Sequence, residues 1–350
     1  MSQPSLFVCR TVQDFVPKDH PLRDLRELID QVLGSLNDLF DTLYSSHGKP
    51  SIPPERLLRA SFLQVLYTLR SERQLCEHIN YNMLYRWFVG LELEDAMWDH
   101  STFSKNRDRL LQQEVITEFF DQVLQIARER ELLSEEHFGV DGTLIDAWAS
   151  HKSFRPKDDD EPPQSSSQES NFHNEARSNH THQSTTDSDA ELMRKSKGKE
   201  ARLSYGVHHI IENRNCLVVG VKTTRAASVT EREAAEDLLA ELPGGQSKTV
   251  GADKGYDTAD FVDTCRHFTI TPHVAQNHAR PGGSSIDKRT TRHVGYQMSM
   301  QRRKMIETTF GWVKQYGGLR RMMHRGLERV NATVIFSVSV FNLLRIRNIG

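Results

Sequence analysis

Two short apolar runs, each ending in an aspartate, constrain this chain more than any other feature. Phe138-Gly139-Val140 leads into Asp141, and Thr249-Val250-Gly251-Ala252 leads into Asp253. Both runs read as strands. The segments around them follow in a definite order. A strand of mixed pattern over 137–148 leads into 152–199, a stretch of Ser, Asn, Gln, His, Asp and charged residues. That stretch has too little apolar surface to offset its ordering entropy, so most of it is expected to be mobile. Residues 203–224 then read as a hairpin, with Val207, Ile210 and Ile211 facing Leu217, Val219 and Val221 across a turn at 213–215. A helix over 230–242 opens on a capping box, Thr230 with Glu233, and stops at Pro243-Gly244-Gly245. Strand 249–252, helix 258–268, strand 272–275 and a long helix over 296–316, stopped by Gly317-Gly318, complete the order. The expectation is a mixed α/β sheet closed by a long helix.

Residues 22–133 read differently, as helices. Leu57, Leu58, Phe62, Val65, Leu66 and Leu69 recur at helical spacing after Pro53-Pro54, with Glu55 in the first turn. Shorter helices are expected over 72–79 and 81–88, and another with Ser101 as its N-cap. That last helix carries Ser104, Lys105, Asn106, Arg107 and Arg109, and the short-helix pattern resembles a helix-turn-helix reader of duplex DNA. Lys105, Arg107 and Arg109 are therefore candidate phosphate contacts. Two domains follow: a helical, DNA-binding one over 1–133, and an α/β one over 134–350 with a flexible insert at about 152–200 and a basic C-terminal region.

Composition narrows the class. The 350 residues suffice for two or three compact units, and the chain is polar for its size, with a mean hydropathy of −0.59. Cys9, Cys76, Cys216 and Cys265 show no CxxC spacing, which suits free thiols in a reducing, cytoplasmic setting. The start MSQPSLFVCR has no charged region leading into a sustained apolar one, so no signal peptide is expected. The most apolar stretch, 332–346, contains Asn342 and is short for a bilayer, so it reads as a buried helix. Net charge is only −2, but from Arg280 onward fourteen Lys/Arg stand against three Asp/Glu. A basic C-terminal third on a near-neutral chain is a candidate phosphate-binding surface, while much of the acidic surplus lies in earlier segments such as 158–161.

The chemistry is suggested by three acids in separate segments. Asp253 follows a strand end, where open sheets place ligands, and Gly251 and Gly255 flank it. Asp141 follows its own apolar run, and Glu307 lies on the last long helix. At helical spacing Arg303, Glu307 and Lys314 share one stripe, beside the apolar stripe Ile306, Phe310 and Val313. Three carboxylates with two cations beside them suit hard divalent ions and phosphodiester chemistry. Asp146 and Asp257 compete for the same roles. His173, His180 and His182 lack a Cys partner or an HExxH motif for zinc, and no Walker A sequence appears. His208 and His209 should point to opposite faces of the hairpin. Trp148 and Trp312 read as core residues rather than base-stacking ones. Lys195, Lys197 and Lys199 are further phosphate candidates.

The segments VDGTLIDAWASHKSF, ADKGYD and RKMIETTFGWVK, with the trailing GGLRRMMHRGLERV, resemble bacterial insertion-sequence transposases of the Asp-Asp-Glu superfamily, the insertion-sequence-five type in particular. The resemblance spans nearly the whole chain. It implies a ribonuclease-H-like catalytic domain in which Asp141, Asp253 and Glu307 hold two Mg²⁺ or Mn²⁺ ions. It also implies recognition of terminal inverted repeats, cleavage and strand transfer into target double-stranded DNA, a homodimer on DNA, and no membrane partner. A Tyr-x2-Arg-x3-Glu-x6-Lys signature accompanies the glutamate in related transposases. Here Arg303, Glu307 and Lys314 match it, Met300 stands at the tyrosine position, and Tyr296 lies one turn earlier. The rivals are a metal-dependent nuclease without strand transfer and an inactive DNA-binding remnant.

Overall fold

The structure, a computed structural model, describes residues 10–43, 51–111, 113–157, 178–196, 198–244 and 247–350, the side chains at 43 and 113 excepted. Expectations resting on Cys9, the acidic run 158–161, His173, Lys197 and Gly245 lie outside the described residues. The chain divides into two units, one of Met1–Leu133, Gln315–Gly318 and Ile335–Gly350, the other of Ser134–Lys314 and Leu319–Val334. Residues from Ile335 onward thus group with the helical unit.

The helical unit contains α1 (Leu22–Ser35), α2 (Asn37–Leu43), α3 (Pro54–Leu66), α4 (Glu72–Tyr81), α5 (Met83–Val89), α6 (His100–Leu110) and α7 (Gln113–Glu129). Pro54 opens α3, and Leu57, Leu58, Phe62 and Leu63 are buried within the unit. Each such side chain contributes roughly 1.5–3 kcal/mol when fully buried. Asn82 caps α5, and Gly90 ends it at φ 87°, a left-handed conformation that glycine adopts without a Cβ clash. The cap of α6 is Asp99 rather than Ser101: its carboxylate accepts from the Ser101 amide at 2.8 Å and also from the Ser101 hydroxyl. A carboxylate two residues earlier outcompetes the hydroxyl for the open amides.

The second unit is built on a six-stranded sheet of β1 (His137–Asp146), β4 (Glu191–Arg194), β5 (Ala201–Glu212), β6 (Val218–Arg225), β7 (Lys248–Ala252) and β8 (Ile270–Val274). β5 runs antiparallel to β1 on one side, and β4 and β6 share its other edge. β7 pairs parallel with β1, and β8 parallel with β7. An antiparallel trio continued by two parallel strands, in the order β6-β5-β1-β7-β8, is the ribonuclease-H-like arrangement. The hairpin forms with its turn at 213–215, where the buried Glu212 carboxylate accepts from the amides of Arg214, Asn215 and Leu217. The capping box forms too. Thr230 caps α8 (Glu231–Ala240) together with Glu233.

Helices cover both faces. On one, Ala235, Leu238 and Leu239 of α8, with Phe261, Val262 and Cys265 of α9 (Ala259–His267), pack on Phe138, Val140, Ile210, Val250 and Val274. After the short α10 (Lys288–Thr291), α11 (Val294–Arg302) and α12 (Met305–Gln315) cover the other. The single long helix expected over 296–316 is therefore two. α11 docks where Gly251 admits it: a Cβ there would stand 3.4 Å from the Ser299 carbonyl oxygen. α12 docks instead on His209 of β5, which stacks on Phe310 at 4.4 Å. Two docking points on different strands bend the chain at Arg303-Lys304, and Ile306 and Glu307 open the new helix with amide bonds to the carbonyls of those two residues.

The described part of the polar insert is more ordered than its composition suggests. β2 (Phe154–Pro156) and β3 (His182–Ser184) form a two-stranded sheet, and β4 joins the main one. Polar side chains do the holding. Asn179 exchanges two hydrogen bonds with the Leu192 backbone, and the buried Asp187 carboxylate accepts from the Tyr205 hydroxyl at 2.7 Å and the Gly326 amide at 3.1 Å. Last comes α13 (Leu327–Ile349). By length and composition it could cross a membrane, yet most of its apolar stretch is buried inside the protein, as in a core helix. Asn342 is fully buried within it.

Candidate active site

The register of β1 and β7 builds the site. Gly139 pairs with Gly251, and β7 ends at Ala252. Continued by two residues, that parallel register runs to Asp141 and Asp253. β1 itself does not stop there. It remains paired with β5, so Asp141 stands mid-strand, opposite His209, rather than at a strand end. Asp253 does follow the end of β7 and accepts from the Gly255 amide at 2.6 Å. Asp141 accepts from the Gly142 amide at 2.9 Å.

The electrostatics single out one of these acids. Burial pushes the Asp141 carboxyl up to about 6, and the charges of Asp253 and Glu231 add to the rise. The Gly142 amide and the Arg303 guanidinium oppose it. Glu231, the first residue of α8, is raised as well, by loss of water and then by Asp253, although the residue as a whole is exposed. It was not among the sequence candidates. Glu307 is exposed on α12 and is not among the charges acting on Asp141. Among the described residues, no group of three His, Cys, Asp or Glu side chains is gathered closely enough to hold a metal ion.

The two competing aspartates are engaged elsewhere. Asp146 pairs with Arg202 at 2.9 Å, and the buried Asp257 carboxylate accepts from the amides of Asn277 and Ser285. Lys314 donates to the Thr143 hydroxyl at 2.5 Å. Burial, helped by the charge of Lys195, lowers the Lys314 ammonium to about 8.

Two family models match the chain: "Transposase domain (DUF772)" over residues 10–109 and "Transposase DDE domain" over residues 175–343. The chain belongs to the DDE transposases. The matched ranges of this transposase include Lys105, Arg107 and Arg109 in the first and Asp253, Arg303, Glu307 and Lys314 in the second, while Asp141 stands between them. No curated protein is a significant match. Among solved structures, a synaptic complex of piggyBac transposase with hairpin DNA is similar at a TM-score of 0.40 and 9% identity, over 93% of this chain and 75% of that one. The Mos1 mariner paired-end complex with Mn is similar at a TM-score of 0.22 and 11% identity, over 94% and 87%. These likenesses are too distant to argue from.

Membership implies dependence on a divalent metal. The residues around Asp141 suit such an ion. They offer carboxylate oxygens, which hard cations prefer, and Asp141 and Glu231 are raised first by burial and then by the charge of Asp253, both of which a cation would offset.

The remaining candidates divide. Lys105 and Arg109 are exposed on α6 of the transposase. Arg107 is engaged within the protein: its guanidinium pairs with Glu72 of α4 and with Asp108, and Glu72 also accepts from the Ser104 hydroxyl. A cation enclosed by two carboxylates fixes α6 to α4. Tyr296 donates to the Val274 carbonyl at 2.9 Å, so it anchors α11 to β8. His208 and His209 are both buried, and burial lowers them to about 4 and about 3. His182 is buried against Phe154. Cys76, Cys216 and Cys265 are buried free thiols. Trp148 departs from the core expectation: it is 40% exposed, with Arg321 lying 4.9 Å from its ring centre. Lys195 and Lys199 are exposed.

Proposed function

We propose that this transposase cuts DNA at the terminal inverted repeats of its own element and joins the freed ends to target DNA at one centre, formed by Asp141, Asp253 and Glu307. The observation that carries the assignment is the parallel register of β1 and β7, whose continuation meets at the two aspartates. α12, carrying Glu307 and Lys314, packs on the same strand that pairs with Asp141, which supports the third acid. In cleavage, a water oxygen attacks the scissile phosphorus and the P–O3′ bond breaks; of the water's two protons one ends on the departing 3′ oxygen, making it a hydroxyl, and the other passes to solvent, leaving a 5′ phosphate. In transfer, that 3′ hydroxyl oxygen attacks a phosphorus of the target and displaces a second 3′ oxygen, which takes up the proton through solvent, so one phosphodiester replaces another.

Two Mg²⁺ or Mn²⁺ ions held by the three acids would offset charge on the attacking and leaving oxygens. Arg303, whose charge reaches Asp141, orients the phosphate beside the acids. Lys314, tied to Thr143, and the exposed Lys195 continue a positive track for the backbone. Lys105 and Arg109 supply phosphate contacts from the helical unit. Pairing two element ends calls for a homodimer on DNA, working in the bacterial cytoplasm, and the insertion-sequence-five type is the subgroup proposed. The test is Mg²⁺-dependent strand transfer with pre-cut ends and target DNA. Wild type should join the ends and Asp253→Asn should not. Joining by Asp253→Asn, or hydrolysis without joining by wild type, overturns the reading.

A further inference from the structure

Glu231 is an acid that the DDE pattern leaves without a task. Thr230 and Glu233 complete the capping box of α8 between them, so the helix start does not consume the Glu231 carboxylate. Among the described residues it takes part in no hydrogen bond or ion pair. Yet its place is well defined. Its neighbour Arg232 donates to the Gly255 carbonyl at 3.2 Å, which ties the start of α8 to the loop carrying Asp253. Its own side chain lies over the backbone next to Asp141: a Cβ on Gly142 would stand 3.2 Å from Glu231 Cγ. Glycine at 142 is what leaves room for it.

Two buried polar atoms beside this carboxylate have no partner. The Tyr256 hydroxyl belongs to a side chain only 1% exposed, and the charges acting on it are those of Glu231, Asp141 and Asp253, in that order, opposed by Arg232. His208 Nδ1 belongs to a residue 2% exposed and would stand 2.8 Å from a Cβ on Gly142, the same point that Glu231 Cγ approaches. Buried donors and acceptors are nearly always paired. Two orphans flanking an uncommitted carboxylate, beside two aspartates, mark a place built for something other than protein. Oxygen donors of like charge select a hard divalent cation.

We infer that Glu231 is a further carboxylate of the divalent-cation site, reaching it from α8 on the face of the sheet opposite the helix that carries Glu307. The inference rests on the reading of Asp141 and Asp253 as cation ligands. The side chain has three rotatable bonds with which to close on an ion. Asp141 then lies between one glutamate from each face of the sheet.

The experiment is a calorimetric titration of the full-length protein with MnCl₂, together with thermal melts with and without Mn²⁺. The proteins are wild type, Glu231→Gln, Glu231→Asp, Asp141→Asn and Asp253→Asn. Gln keeps the length of the side chain and leaves the Thr230–Glu233 box intact. Glu231→Gln should bind Mn²⁺ at least about 10-fold more weakly, the low end for loss of a metal-site partner. Its melting temperature without cation should hold or rise, because one of several crowded negative charges is gone. Glu231→Asp, which withdraws the charge by one methylene, should fall between. A structural role would lower the cation-free melting temperature and leave affinity alone. If both Glu231 variants bind Mn²⁺ like wild type while Asp253→Asn does not, the inference about Glu231 is wrong and the site stands. If Asp141→Asn and Asp253→Asn also bind like wild type, the site itself is wrong.

Discussion

His209 holds α12 against β5, and its protonation should set how the catalytic unit responds to acid. The ring is 0% exposed, stacks on Phe310 and shares a hydrogen bond with the Thr309 hydroxyl at 3.2 Å. Burial, with smaller contributions from His208 and Lys314, lowers its pKa from 6.5 to about 3. A depressed histidine favours the neutral form in the folded state. Its contribution to stability is complete above pH 6.5 and is lost as pH falls from there toward 3. Between pH 7.5 and 5.0 the unfolded ring takes up a proton and the folded ring does not, a loss of about 2 kcal/mol at 1.36 kcal/mol per unit. His208 and His273, each lowered to about 4 by burial, act in the same direction, with about 2 kcal/mol apiece over that range. Asp141 opposes them. Raised from 3.8 to about 6, its contribution is present below 3.8 and lost as pH rises through 6, so it returns about 1 kcal/mol at pH 5.0. The histidines win, and the unit should be acid-labile well above the carboxylate range. Urea unfolding of wild type and His209→Leu, followed by tryptophan fluorescence at pH 7.5, 6.0 and 5.0, isolates one ring. Wild type should lose about 2 kcal/mol more than the variant between the two ends. Equal losses would refute the claim that His209 is held neutral by burial, whatever the two proteins' stabilities at pH 7.5.

Two further perturbations separate architecture from DNA contact. Arg107→Ala should lower the stability of the helical unit by about 3 kcal/mol, the low end for breaking an enclosed ion pair and stranding Glu72. Lys105→Ala and Arg109→Ala should leave the melting temperature unchanged and weaken binding to element-end DNA, with a shallower salt dependence of roughly one counterion each. In the insert, Tyr205→Phe should cost about 2 kcal/mol, because it removes a hydrogen bond to a charged, buried Asp187. Hydrogen exchange should then quicken in β3 and β4, and no change there would mean the insert is held by other contacts.

Much of the catalytic sheet was legible because its signals are local. Thr230 with Glu233, the apolar runs before Asp141 and Asp253, and the turn at 213–215 each depend on neighbours within a few residues. What escaped the sequence depends on tertiary partners. The bend at Arg303-Lys304 has no glycine or proline to announce it; it exists because Gly251 and His209 receive the two halves of the helix on different strands. Arg107 looks like any exposed helical cation until Glu72 is brought beside it from α4. The strands of the insert carry no apolar period, since Asn179 and Asp187 order them through backbone and hydroxyl bonds. Of the site, the apolar runs before Asp141 and Asp253 marked two strands, although Asp141 proves to lie mid-strand, whereas Glu231 followed no such run. An acid in the first turn of a capped helix is ordinary on dipole grounds, so nothing marked it out.

The little β2–β3 sheet has a practical consequence. Pairing of Phe154 with Ser184 and Pro156 with His182, and the bond from the Lys157 amide to the Thr181 carbonyl at 3.0 Å, bring the two ends of the segment 158–177 together whatever lies between them. The closure entropy of a loop grows slowly, about 0.6 kcal/mol per doubling of length. A reporter peptide or a whole folded module spliced into that segment would therefore hang from a clasp already shut. Such a splice offers a way to label the enzyme or redirect it to chosen DNA while leaving the strands that carry Asp141 and Asp253 undisturbed.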